Sequence, residues 1–80
     1  MDKYYFYDDN WFHHHYKVID DNLLLHVNES SPCINLVNND INDREWRYQL
    51  STKERFEEAL KKTLNKLDIN YGNFNFINNG

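Results

Sequence analysis

The sequence predicts an α+β domain: an antiparallel β-meander of about five strands with one amphipathic helix packed on one face. Three observations lead there. Aromatic and β-branched residues crowd the first fifty positions in short runs, separated by clusters of Asp and Asn. A capping-box motif then opens a stretch whose apolar residues recur at spacings of three and four. Finally, 80 residues with 40% apolar and 16% aromatic content are enough for one small core, and too few for a core plus a deep substrate cavity. Residues 1–80 are therefore read as a single domain.

Tyr4 to Tyr7 and Trp11 to Ile19 read as paired strands, because the intervening Asp8-Asp9-Asn10 is turn chemistry. The same triplet returns at Asp20-Asp21-Asn22 before Leu23 to Val27, which extends the hairpin to a three-stranded meander. Register follows from matching faces, since a slip of one residue inverts a strand. Two-residue loops at Asp9-Asn10 and Asp21-Asn22 place Phe12, His14, Tyr16 and Val18 inward with Tyr5, Tyr7, Leu23, Leu25 and Val27. Trp11, His13, His15 and Lys17 then lie outward with Phe6, Leu24 and His26. A three-residue second loop would move Leu24 and His26 to the Phe12 face, mixing polar and apolar partners, so the first register is preferred.

Asn28 to Pro32 is a loop, because proline cannot donate to a central ladder, and Cys33 to Val37 reads as the fourth strand. Beyond the turn Asn38 to Asp43, the stretch Arg44 to Leu50 alternates strictly, with Trp46, Tyr48 and Leu50 expected inward. Ser51-Thr52-Lys53-Glu54 is a capping box that starts the helix with Ser51 as its cap. Phe56, Ala59, Leu60, Thr63, Leu64 and Leu67 form its apolar stripe, and Glu57/Lys61 and Glu58/Lys62 stand four apart on its charged face. Gly72 is expected to break the helix. Phe74 and Phe76 then share one side of an edge strand or a mobile tail, capping the core or serving as an aromatic anchor for a partner.

Candidate chemistry is sparse. On the preferred register His13, His15 and His26 share the face away from the helix, and imidazole is the commonest metal ligand. Lys17 at the centre of that patch and the lack of a fourth ligand argue against zinc, so no cofactor is expected. Cys33 is the one cysteine, which excludes an intramolecular disulfide and reads as a small buried thiol. Two glycines supply no phosphate-cradling loop. The acids sit in turns. A meander sends Asp8 and Asp9 to one end of the sheet and gathers Asp20, Asp21, Asp40 and Asp43 at the other, as a negative patch for a basic partner, a weak Ca²⁺ site, or simple turn chemistry.

The net charge of -4 disfavours a direct grip on nucleic acid, which needs several Lys and Arg on phosphates. Apolar runs such as Leu23 to Leu25 are far short of a bilayer span, and the opening MDKYYFYDD has neither the basic nor the apolar part of a signal peptide. A cytoplasmic protein with no membrane partner is expected. Val37-Asn38-Asn39-Asp40, the strand running to Leu50 and the Ser51-capped helix resemble the second half of some small, acidic, phage-encoded anti-CRISPR proteins. What the resemblance implies is an inhibitor that occupies a basic nucleic-acid-binding surface on a protein of host defence; toxin-immunity proteins share the size and charge. The expected function is thus a non-enzymatic binding or inhibitor protein. The alternative is a small metal- or ligand-dependent enzyme built on His13, His15 and His26.

Overall fold

The computed structural model describes residues 3–9 and 12–70. Among them, five strands form one antiparallel sheet: β1 (Tyr4–Asp8), β2 (His13–Val18), β3 (Leu23–Asn28), β4 (Cys33–Asn38) and β5 (Gln49–Leu50). The helix α1 (Lys53–Lys66) follows. The spatial order is β4-β3-β2-β1-β5, so the first four strands are the expected meander and the fifth joins the far edge, beside β1.

The first hairpin sets Tyr5 opposite Tyr16 and Asp8 opposite His13. Its turn is closed by Asp9, whose carboxylate accepts the Phe12 amide at 2.6 Å. The ladder is displaced by two residues from the expected two-residue loop, which keeps the expected face sharing within the hairpin, but the helix covers the side opposite to the one expected: Tyr4, His13 and His15 face it, whereas Tyr5, Tyr7, Tyr16 and Val18, expected inward, pack on the other face. The second hairpin departs from expectation. Val18 pairs with Leu24, and the amides of Ile19 and Asp20 both donate to the Leu23 carbonyl, giving a three-residue loop over 20–22. The Asp20 carboxylate accepts the Asn22 amide at 2.7 Å, an Asx turn that takes up the extra residue.

This extra residue inverts β3 relative to β2. Leu25 and Val27 pack with Tyr4, Phe56, Leu60 and Leu64 under the helix. Leu24 packs with Tyr16 and Ile41 on the opposite face, where Tyr5, Tyr7, Val18, Val37 and Tyr48 surround them. Leu24, Leu25 and Val27 are all buried, which is possible because both faces of the sheet are covered. The expected register holds only for a sheet with a single dry face.

The second cover is the segment 39–48, and here the expected strand Arg44 to Leu50 is corrected. Only Gln49 and Leu50 pair, with Phe6 and Tyr5. Chain leaving β4 must traverse the whole sheet to reach β1, roughly 15–20 Å at about 4.8 Å per strand, and backbone running across strands cannot join their ladder. It is instead a pair of turns, with the Asp43 and Arg44 amides on the Asp40 carbonyl and the Arg47 amide on the Arg44 carbonyl. Ile41 is buried and Tyr48 is tucked edge-on against Tyr16 at 5.1 Å. Trp46 and Leu50, expected inward, are 80% and 75% exposed.

The helix cap also shifts by one. Ser51 continues the sheet, its amide donating to the Tyr4 carbonyl at 2.8 Å, and Thr52 is the N-cap, its hydroxyl accepting the Arg55 amide at 3.1 Å. Phe56, Ala59, Leu60, Thr63 and Leu64 are buried as expected, whereas Leu67 is exposed. The helix ends before Gly72 is reached, in a Schellman arrangement: Asp68 takes φ 60°, the Ile69 amide bonds the Leu64 carbonyl, and the Asp68 amide bonds that of Asn65. Cys33 is half-buried at the head of β4. Phe74 and Phe76, the expected aromatic tail, lie outside the described residues, as do Trp11 and Gly72.

Candidate functional site

The inverted β3 splits the histidines between the two faces. His13 and His15 lie on the helix side, while His14 and His26 meet on the other. The expected convergence of His13, His15 and His26 therefore does not form: His26 lies away from the helix as expected, whereas His13 and His15, expected beside it, lie on the helix side of the sheet. Among the described residues no three His, Cys, Asp or Glu side chains gather as a metal-ligating set.

On the helix side, His13 and His15 line a cavity of about 290 Å³ with Asp8, Glu29, Arg55 and Lys62. His13 pairs with Asp8 at 2.9 Å and His15 Nε2 with Glu29 at 3.0 Å, and Lys62 pairs with Glu58 at 3.3 Å. The Arg55 guanidinium rests over the Phe6 ring at 4.0 Å. Burial lowers the pKa of His15 against the opposing pull of the Glu29 carboxylate. With Nε2–H donating to Glu29, Nδ1 is a bare, buried acceptor with no partner among the described residues. The charges in this cavity largely neutralise one another, and among the described residues no hydroxyl or thiol lines it as a nucleophile.

On the opposite face the rings form a continuous stack. Tyr7 lies against His14 at 5.5 Å, and His14 and Tyr16 each lie against His26 at 5.1 Å. Tyr48 closes the stack edge-on, and the Arg47 guanidinium covers Tyr7 at 4.4 Å. Burial lowers the pKa of His26, and the nearby His14 and Arg47 add to that effect while Asn35 opposes it. Burial likewise raises the Tyr16 phenol.

The four acids come from two turns that meet. Asn39 donates its backbone amide to the Asn22 carbonyl at 2.9 Å and its side-chain amide to the Asp20 carbonyl at 3.3 Å, which joins the 20–22 loop to the start of the crossing segment. Within the group, Asp40 is bound to the Tyr48 hydroxyl and to Arg44 at 3.5 Å, and Asp20 holds its own Asx turn. Asp21 and Asp43 are exposed.

Sequence reasoning missed Trp46, which it had placed in the core. A signal was present: Trp46 stands between Glu45 and Arg47, three positions after a five-residue run, Asn39 to Asp43, of which four members are Asn or Asp. That is loop chemistry, in which a Trp has no pleat to enter. Comparison with protein-family models, with curated proteins and with solved structures gave no match for this chain.

Proposed function

We propose that this chain is a non-enzymatic binding protein of inhibitor type, which docks through the 40–50 segment onto a basic surface of a macromolecular partner. Trp46 carries the reading. A tryptophan exposed over four-fifths of its surface contributes nothing to the core, and Trp is the residue most enriched among interface hot spots. Its segment is held from below by Ile41 and Tyr48, so the indole is presented on an anchored support. Asp20, Asp21, Asp40 and Asp43 border the start of that segment, and with a net charge of -4 they supply the complement to a basic partner. A nucleic-acid-binding protein, blocked in the manner of an anti-CRISPR or immunity protein in the cytoplasm, is the partner class that suits this charge. The rival enzyme on His13, His15 and His26 has its residues divided between the two faces of the sheet, His13 and His15 on one and His26 on the other.

The test is a comparison of the wild-type chain with Trp46→Ala and with the Asp21→Asn, Asp43→Asn double variant, each immobilised and offered nuclease-treated host lysate. Wild type should retain a nucleic-acid-binding protein that Trp46→Ala loses without a change in melting temperature, and the double variant should bind it more slowly at low salt. Equal retention by wild type and Trp46→Ala would remove the indole from the interface and with it this reading.

A further inference from the structure

We propose that His14 and His26 form a proton-operated latch that holds the docking segment 39–48 against the sheet and releases it when both rings are protonated. The proposal rests on the docking role assigned to that segment and adds its regulation. His14 Nδ1 faces His26 Nε2 at 2.9 Å, a distance that requires one nitrogen to carry hydrogen and the other to offer a lone pair. This holds whichever ring is the donor. With no extra proton on the pair, one N–H···N bond forms. With one extra proton, a single imidazolium still donates to a neutral ring. With two, both nitrogens carry hydrogen and two cations meet head to head, so the contact must break.

The surroundings set what breaks with it. From β4, Asn35 Oδ1 lies 2.8 Å from His26 Nδ1 and accepts its hydrogen. From the first turn, the Asp9 carboxylate lies 3.6 Å from His14 Nε2. Tyr7 from β1 and Tyr16 from β2 sandwich the pair, and His15, also on β2, lies on the other face beside Glu29. From the crossing segment come Arg47, over Tyr7, and Tyr48, on Tyr16, with Asp40 bound to the Tyr48 hydroxyl. Arg47 thus adds a third positive charge to the doubly protonated pair, while Asp40, the one carboxylate on the segment's inner contacts, is already engaged. Expelling either imidazole removes the ring surface that supports Tyr16, and Tyr16 is the seat of Tyr48. The segment bearing Trp46 would lift, so acid should withdraw the docking surface.

The experiment needs no partner, so its outcome is separate from that of the Trp46 comparison. Two-bond ¹H–¹⁵N correlation spectra of the imidazoles report ring protonation from pH 8 to 4, and amide exchange is followed at Arg47 and Tyr48. The expected result is a roughly tenfold or greater loss of protection at these two amides in the pH step that doubly protonates the pair, while the β1–β2 amides remain protected. His26→Gln and His14→Gln should each remove that step, and His15→Gln should keep it. Opening of the segment at an unchanged pH in both His14→Gln and His26→Gln would overturn the latch, as would double protonation with the two amides still protected. Stoichiometric Zn²⁺ uptake that abolishes the titration of both rings would also overturn it, in favour of a metal site.

Discussion

The Tyr48 hydroxyl donates to the Asp40 carboxylate at 2.5 Å, and this one bond spans eight residues to close the crossing segment on itself. The ring below the hydroxyl packs edge-on to both Tyr16 and Tyr5, so one side chain fastens the segment to the sheet and to its own beginning. The phenol is correspondingly hard to ionise, first because it is partly buried and then because it donates to Asp40.

Tyr48→Phe keeps the packing and deletes the bond, and is expected to cost about 1 kcal/mol of stability by urea denaturation. Because the folded pKa is raised above the unfolded value of about 10, the stabilisation is fully present below that pH and is lost above it. Wild type and Tyr48→Phe should therefore converge in stability as pH rises past 10. A constant gap would mean that the hydroxyl contributes only through shape.

The one-residue shift of the helix cap separates two neighbouring hydroxyls. Thr52→Ala removes the acceptor of the Arg55 amide and should cost about 1 kcal/mol. Ser51→Ala should cost less or be favourable, because Ser51 Oγ is buried without a partner. Leu60→Ala, fully buried in the helix stripe, should cost roughly 2 to 5 kcal/mol. Three urea midpoints decide the ranking.

Asp68 occupies left-handed backbone at φ 60°, where a Cβ is crowded and glycine is at ease. Asp68→Gly is expected to raise stability by roughly 0.5 to 1 kcal/mol, a gain held down by the larger freedom of glycine in the unfolded chain. A lower melting temperature for Asp68→Gly would show that the carboxylate makes a contact worth more than the relief.

His15 and His26 both titrate below the ordinary histidine value because they are buried. In each case the unfolded chain, with a pKa near 6.5, takes up its proton first as pH falls. Stability is therefore full above about pH 6.5 and declines below it, by up to about 1.4 kcal/mol per pH unit for each group until the folded form is protonated too. His15→Gln should shallow this decline in denaturant midpoints measured from pH 7.5 to 5; an unchanged slope would place the acid sensitivity elsewhere.

Much of the architecture was legible because local chemistry dictated it. The Asp-rich triplets separate β1 from β2 and β2 from β3 as expected, although neither hairpin has the expected two-residue loop, the helix stripe from Phe56 to Leu64 is buried, and the acid turns at 20–22 and 40–43 meet. What was not legible depended on coverage. Nothing in Arg44 to Leu50 announces that β5 belongs beside β1, and without that crossing the sheet has only one dry face and the two-residue loop at Asp21 wins. Once the segment covers the second face, an Asx turn of one more residue is allowed, β3 inverts relative to β2, and His13 and His15 come to the helix side while His26 stays on the other. The error over the histidines and the error over Trp46 therefore have one cause.

The strand order also dictates a sequence of events in time. β1 to β4 are neighbours along the chain and in space, so their pairings close short loops and suit rapid formation. The contact of Tyr5 with Leu50 joins residues 45 positions apart, and its loop-closure entropy is met only after the sheet exists to receive the crossing segment. Tyr16, Leu24 and the histidine pair would then spend the interval before closure as an open aromatic floor on a formed hairpin stack. A slow final phase, reported by Tyr48 and not by the helix amides, is the kinetic imprint that a crossover strand leaves on an otherwise local fold.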